Sequence, residues 1–255
     1  PILRDPATPP KADVVVMETT YGDRLHKSLQ PTVAELYEAI MDTFRRGGNV
    51  VIPTFALERA QELLFYLREG VADGALPASM PVFLDSPMAI SATQIFRRHP
   101  EAMKSEIALS LAKGHDPFKL PDLHFTRDAS DSMALNRIRS GAVLMAGSGM
   151  CTGGRIMHHL KNNVWRPECH VVIVGFQAEF SQTIGVRLAP AAGTATSRGR
   201  HRGPARQFSE AWFERQDRLH IAAAVPVQLR LGGFADRVGG RSARRHRLGA
   251  SPGAR

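Results

Sequence analysis

Apolar positions along the first 175 residues alternate between two patterns, one short and continuous, the other spaced by three and four. Six runs have the first character: ADVVVMETT (12–20), NVVIP (49–53), PVFLD (81–85), DLHF (122–125), GAVLMA (141–146) and HVVIVG (170–175). Short apolar runs rich in β-branched residues are what strands buried on both faces require. Between them lie stretches with helical spacing. Val33, Leu36, Tyr37, Ile40, Met41 and Phe44 share one face behind Pro31 and ahead of Gly47 and Gly48, which predicts a helix over 33–44 with a glycine stop. ALERAQELLFYLREG predicts a second, with Ala60, Leu63, Leu64 and Leu67 inward. Pro87 opens a third, MAISATQIFRRH, because a first-turn residue needs no N–H partner within the helix. Strand and helix alternate, so the expected fold class is α/β with a mainly parallel sheet. Residues 103–121 are less periodic and read as a connecting excursion.

Beyond Leu188 the pattern stops. Ala, Gly, Pro and Arg dominate, lysine is absent, and no amphipathic element longer than a turn or two stands out. This tail also carries the charge. The formal net charge is +9, yet 20 basic residues balance 20 acidic ones up to Leu188, so the whole excess lies in residues 189–255. Bulk basicity is therefore not the electrostatic footprint of an RNA-binding body. The tail reads either as a basic disordered arm that touches nucleic acid or as an out-of-frame translation of GC-rich DNA. The abrupt loss of pattern favours the second, and little packed structure is expected from either.

Two cysteines, Cys151 and Cys169, are too few for a disulfide framework and have no familiar metal spacing, so a reducing, cytoplasmic setting is the default. No stretch approaches the roughly 20 apolar residues of a membrane span. The opening PILRDPATPPK has neither the charge nor the apolar core of a signal peptide.

LMAGSGMCTGGRIMHHL (144–160) is the densest motif. Gly147, Gly149 and Gly153 form a GxGxxxG variant between a strand and a helix, where a pyrophosphate could sit on the helix N-terminus, as in a nucleotide-dependent oxidoreductase. The acidic residue that should close the next strand is missing. Cys151 could be a nucleophile with Arg155 as oxyanion partner, but three intervening residues are too few to wrap a phosphate, and a small buried thiol in a tight turn is the simpler reading. The histidines make no HxH, HxxxH or HxxEH pattern, and His158 and His159 diverge by roughly 100° on a helix. Most read as surface or capping residues, and no metal site can be assembled from them. The carboxylates say more. Glu18 ends the first run in ETTYGDR and Asp85 ends the third in FLDSPMA; sheet-end carboxylates commonly face a ligand crevice. Asp85 and Ser86 are thus candidate cleft residues, with N-capping of the next helix as the plainer role for Asp85. Glu18 lies too far upstream of a helix for that.

Taken in order, ADVVVMETTYGDRLH, GGNVVIPTFALERAQELL, VFLDSPMAISATQIFRRH, GSGMCTGGRIMHHLKNN and HVVIVGFQAE resemble the β-CASP branch of the metallo-β-lactamase-fold nucleases. These are RNA-processing ribonucleases of bacteria and archaea and the eukaryotic pre-mRNA 3′-end cleavage factor, and the resemblance covers roughly residues 1–179. It implies a β-CASP domain inserted in a metallo-β-lactamase αββα domain, with RNA threading the cleft between them to two zinc ions. Residues 1–22 would be a remnant of the αββα domain, 23–187 the β-CASP domain and 188–255 the tail. Glu18 would be the catalytic acidic residue that organises the histidines beside the metals. The SGMCTGG loop would face the RNA, making Ser148, Gly149, Met150, Gly153, Gly154 and Arg155 candidate RNA contacts. A homodimer is implied for the intact enzyme.

The family's HxHxDH motif and bridging aspartate lie upstream of the strand carrying Glu18, so this chain starts after them and supplies no metal ligands. The later GFSAH-like motif is also missing, with LGGFADR in the tail a faint echo. Zinc generates the hydroxide nucleophile and steadies the charge on the phosphodiester. The expectation is an incomplete zinc ribonuclease, inactive as this chain alone. A metal-free module that binds RNA or a partner protein is the alternative.

Overall fold

The computed structural model describes residues 2–175 apart from Pro9, Asp23, Arg24 and His26. The tail, from its expected start at 188, lies outside these residues. Helix α1 (Leu29–Arg45) leads into β1 (Val50–Pro53), followed by α2 (Arg59–Ala72), β2 (Val82–Asp85), α3 (Pro87–Arg98), α4 (Ser105–Ala112) and β3 (Leu123–Phe125). Then come α5 (Ala129–Leu135), β4 (Val143–Ala146), α6 (Ile156–Asn163) and β5 (His170–Val171). The five strands form one sheet in the order β3-β2-β4-β1-β5. Every pairing between them is parallel, as the α/β expectation requires. No helix of the described residues is long and apolar enough to cross a membrane.

The sheet is wound on both faces. Val50, Ile52, Val82, Leu84, Val143 and Met145 pack with Leu36 and Ile40 of α1, Leu64 and Leu67 of α2 and Ile90 of α3. The residues between them, Val51, Leu144 and Ala146, face the other way and pack with Leu135 of α5 and Ile156 and Leu160 of α6. This is the period-2 alternation of a strand, and full burial of an aliphatic side chain of this size contributes about 1.5–3 kcal/mol. Helix α3 starts as its sequence predicts: Pro87 fills the first turn and Ser86 accepts a hydrogen bond from Ala89 N at 3.3 Å.

Two strand expectations change. Residues 12–20 form no strand; Val14, Val15, Val16 and Met17 are exposed, Val16 at 93%. The run has the composition of a strand, but no neighbour among the described residues offers it a ladder of hydrogen bonds. Of HVVIVG only His170 and Val171 form strand β5 and pair with β1, while Val172 and Val174 still bury into the first core. The excursion over 103–121 contains α4, and its neighbour Met103 bridges back to Leu3.

The amino edge of the sheet is drawn tight at one glycine. Gly48, in the turn between α1 and β1, passes so close to the chain before β5 that a Cβ there would stand 1.9 Å from the Glu168 carbonyl oxygen. Asn49 beside it is buried and joins three segments, donating to Ile138 O and Asn163 Oδ1 and accepting from Ala142 N.

Candidate nucleic-acid interface

Because all strands run the same way, their carboxyl ends share one edge, and the loops after β1, β2 and β4 gather there. Strands β1 and β4 are neighbours, but the chain leaves them in opposite directions: α2 packs on one face of the sheet and α6 on the other. Such a divergence marks this part of the carboxyl edge as the usual ligand position in an open parallel sheet. The glycine loop 147–155 lies there against Phe55, which follows β1 after Thr54. Thr54 N donates to Ala146 O at 3.0 Å.

The loop is held by its own bonds. Ser148 N donates to Gly153 O, Cys151 N to Ser148 O, Thr152 N to Ser148 Oγ and Ile156 N to Gly147 O. Its glycines have different reasons to be glycine. Gly154 has φ +78°, and a Cβ there would meet Gly147 O at 2.6 Å. Gly149 is buried beneath the Phe55 ring, which a Cβ would strike at 2.6 Å. At Gly153 a Cβ would meet nothing within 4 Å, so this position is open to close approach from outside. Substituting Gly154 with alanine is therefore expected to destabilise the chain by about 1–3 kcal/mol. Gly153→Ala is expected to lie within roughly 0.5 kcal/mol of wild type. Equal midpoints for the two variants in urea unfolding would contradict this account. Met150 is half-buried at the tip of the loop.

Behind the loop lies a buried polar cluster. Asp85, at the end of β2, is fully buried and accepts hydrogen bonds from Ser132 Oγ of α5 (2.6 Å), Arg155 Nη1 (2.7 Å) and His159 Nε2 of α6 (2.7 Å). Burial pushes its carboxyl up, but the bonds from His159, Ser132 and Arg155 more than offset this and hold it below the usual range. A carboxylate only accepts, so His159 carries a proton on Nε2, and its buried Nδ1 has no hydrogen-bond partner among the described residues. Arg155 also donates to Thr126 O (3.0 Å) and Arg127 O (2.6 Å). The cluster thus ties β2, the β3–α5 connection, α5 and the start of α6 into one unit.

These placements refine the sequence expectations. Asp85 neither caps α3, which Ser86 does, nor reaches the crevice surface; it anchors the loop from within. Ser86 is half-buried beside it. The Arg155 guanidinium expected at a phosphate has both terminal nitrogens bonded inside the molecule. Glu18 lies on the exposed 11–20 segment, where Thr20, through its side chain first and its backbone second, holds the carboxyl below the usual range. No contact joins Glu18 to the Asp85 cluster among the described residues. Cys151 is a buried thiol in the left-handed region (φ +56°), and burial pushes it up to about 11, the opposite of nucleophile activation. The sequence leaves His159 among the surface or capping histidines because its side-chain partner, Asp85, lies 74 positions away. The signal was present: Ile156, His159, Leu160 and Asn163 are all buried on α6, at the spacing of an inward stripe.

Among the described residues no group of three or more His, Cys, Asp or Glu side chains could hold a metal ion. Asp85 and His159 are the nearest in kind, but Arg155 sets a fixed cation against the same carboxylate, and both its oxygens already accept hydrogen bonds. This cluster does not fit zinc.

The Beta-Casp domain profile matches residues 60–188. Ribonuclease TTHA0252 of Thermus thermophilus is 41% identical over 178 residues, 70% of this chain and 41% of that protein. Transcription termination factor FttA is 35% identical over 196 residues in Methanosarcina mazei, covering 73% of this chain and 29% of that one. In Pyrococcus abyssi FttA is 32% identical over 173 residues, covering 67% and 26%. The chain thus spans between about a quarter and 41% of the length of these relatives.

Proposed function

From the premise that the chain belongs to the β-CASP family, we propose that its described domain is the RNA-gripping part of a zinc-dependent ribonuclease. In this reading a single RNA strand runs along the carboxyl-edge crevice, over the loop at 148–154. The carrying observation is the preset glycine loop at the point where the chain leaves β1 and β4 in opposite directions. Its backbone is fixed before any ligand arrives, and an ordered site binds without the loss of freedom that ordering would bring. The relatives named for ribonuclease activity and for transcription termination agree with RNA as the partner.

Residues 1–22 belong, in this reading, to the αββα domain, where Glu18 would stand beside metals held by other residues. The 255 residues contain no HxHxDH sequence, and the described residues offer no metal cluster. The purified chain is expected to bind single-stranded RNA with an affinity that falls as salt rises, to keep that affinity in chelator, and to leave the RNA uncut. Absence of binding at low salt would overturn the RNA reading. Cleavage that both chelator and Glu18→Ala abolish would overturn the expected inactivity.

A further inference from the structure

Phe55 is out of place as an ordinary core residue. It follows the buried β1–Thr54 segment, yet its side chain is 42% exposed at the carboxyl edge. The ring is seated on two glycines, close enough to Gly149 that a Cβ would meet it at 2.6 Å and to Gly175 that one would meet it at 3.5 Å. Both glycines approach the Cδ2–Cε2 side of the ring, and two fifths of the residue stays exposed. An exposed aromatic ring held in place beside a ligand edge is an arrangement by which single-stranded nucleic acid is bound without sequence preference, since every base has a π-face.

We propose that Phe55 is the stacking platform for one base of a single RNA strand whose backbone passes over the loop at 148–153. This rests on the RNA reading above and adds how a base, rather than a phosphate, is held. The exposed Thr152 and the open side of Gly153 lie along the same loop, on the side left for the sugar-phosphate chain. The contact distinguishes base-bearing RNA from a bare polyanion, which phosphate contacts do not do.

The test uses the full chain and two probes of equal length, an oligoadenylate and an oligomer carrying abasic ribose phosphates throughout. Phe55→Leu keeps an apolar cover over Gly149 but lacks a π-face; it is expected to weaken oligoadenylate binding roughly 5- to 100-fold and to change abasic binding by less than about twofold. Phe55→Trp is expected to restore oligoadenylate binding. If Phe55→Leu binds both probes as wild type does, or loses both equally, Phe55 is a cover for the loop and the stacking role falls while RNA binding stands. If wild type binds neither probe at low salt, the RNA reading falls and the stacking role with it.

Discussion

Replacing Asp85 with alanine is expected to destabilise the chain by about 3–5 kcal/mol, the usual effect of removing one partner of a buried, hydrogen-bonded charge pair. The alanine removes the acceptor for the Arg155 guanidinium, the buried His159 ring and the Ser132 hydroxyl at once. Urea unfolding measures the loss, and a change below roughly 1 kcal/mol would mean that the cluster contributes little net stability. The same residue sets an acid limb. Because the folded carboxyl sits below its ordinary value, its stabilisation is complete above about pH 5, where the unfolded group has lost nearly all of its proton. It fades as pH falls through the lower folded value. Asp85→Ala should flatten that limb, so the gap between variant and wild type narrows toward low pH. RNA affinity should fall too, since the loop loses its internal anchor.

Gly48→Ala is expected to be nearly as damaging, for a reason with no charge in it. Its Cβ would lie 1.9 Å from Glu168 O and 2.3 Å from the carbonyl carbon, so backbone must move rather than a side-chain tip. The segment that must yield carries β5, held to Asn49 and β1 by His170 N to Asn49 O and Val172 N to Val51 O, both 3.0 Å. Forcing extra atoms into a packed interior typically costs about 1–3 kcal/mol, and the upper end applies where a strand edge is displaced. Hydrogen exchange localises the effect: the His170 and Val172 amides should lose protection before those of β2 and β4. Unchanged protection at both amides would contradict the close approach.

The parallel sheet, its three long helices and the loop after β4 were legible in the sequence because each rests on local signals: period, Pro87 and Ser86 at a helix start, glycine at a stop. What was not legible depends on distance along the chain. Helix α5 is seven residues long, too short to establish a period. The strand read at 12–20 has the right residue types, but a strand exists through its neighbours, and local composition does not name them. The site divides the same way. The glycine loop could be singled out from its own residues, whereas the reason for Gly149 is Phe55, 94 positions earlier, and the reason for Arg155 is Asp85, 70 positions earlier. Asp85 was noticed as a sheet-end carboxylate; that it anchors from within, instead of facing a ligand, follows only from the convergence of α5 and α6 upon it.

The inert thiol in the glycine loop also makes the chain convenient to label. At neutral pH a group pushed up to about 11 is thiolate in roughly one molecule in ten thousand, and Cys169, the second of the two cysteines, is likewise buried and raised. Maleimide or a spin label therefore has little to react with in the folded chain. A single cysteine introduced at Gly153, where a side chain meets open space, would carry a dye at the mouth of the crevice while both native thiols stay in place.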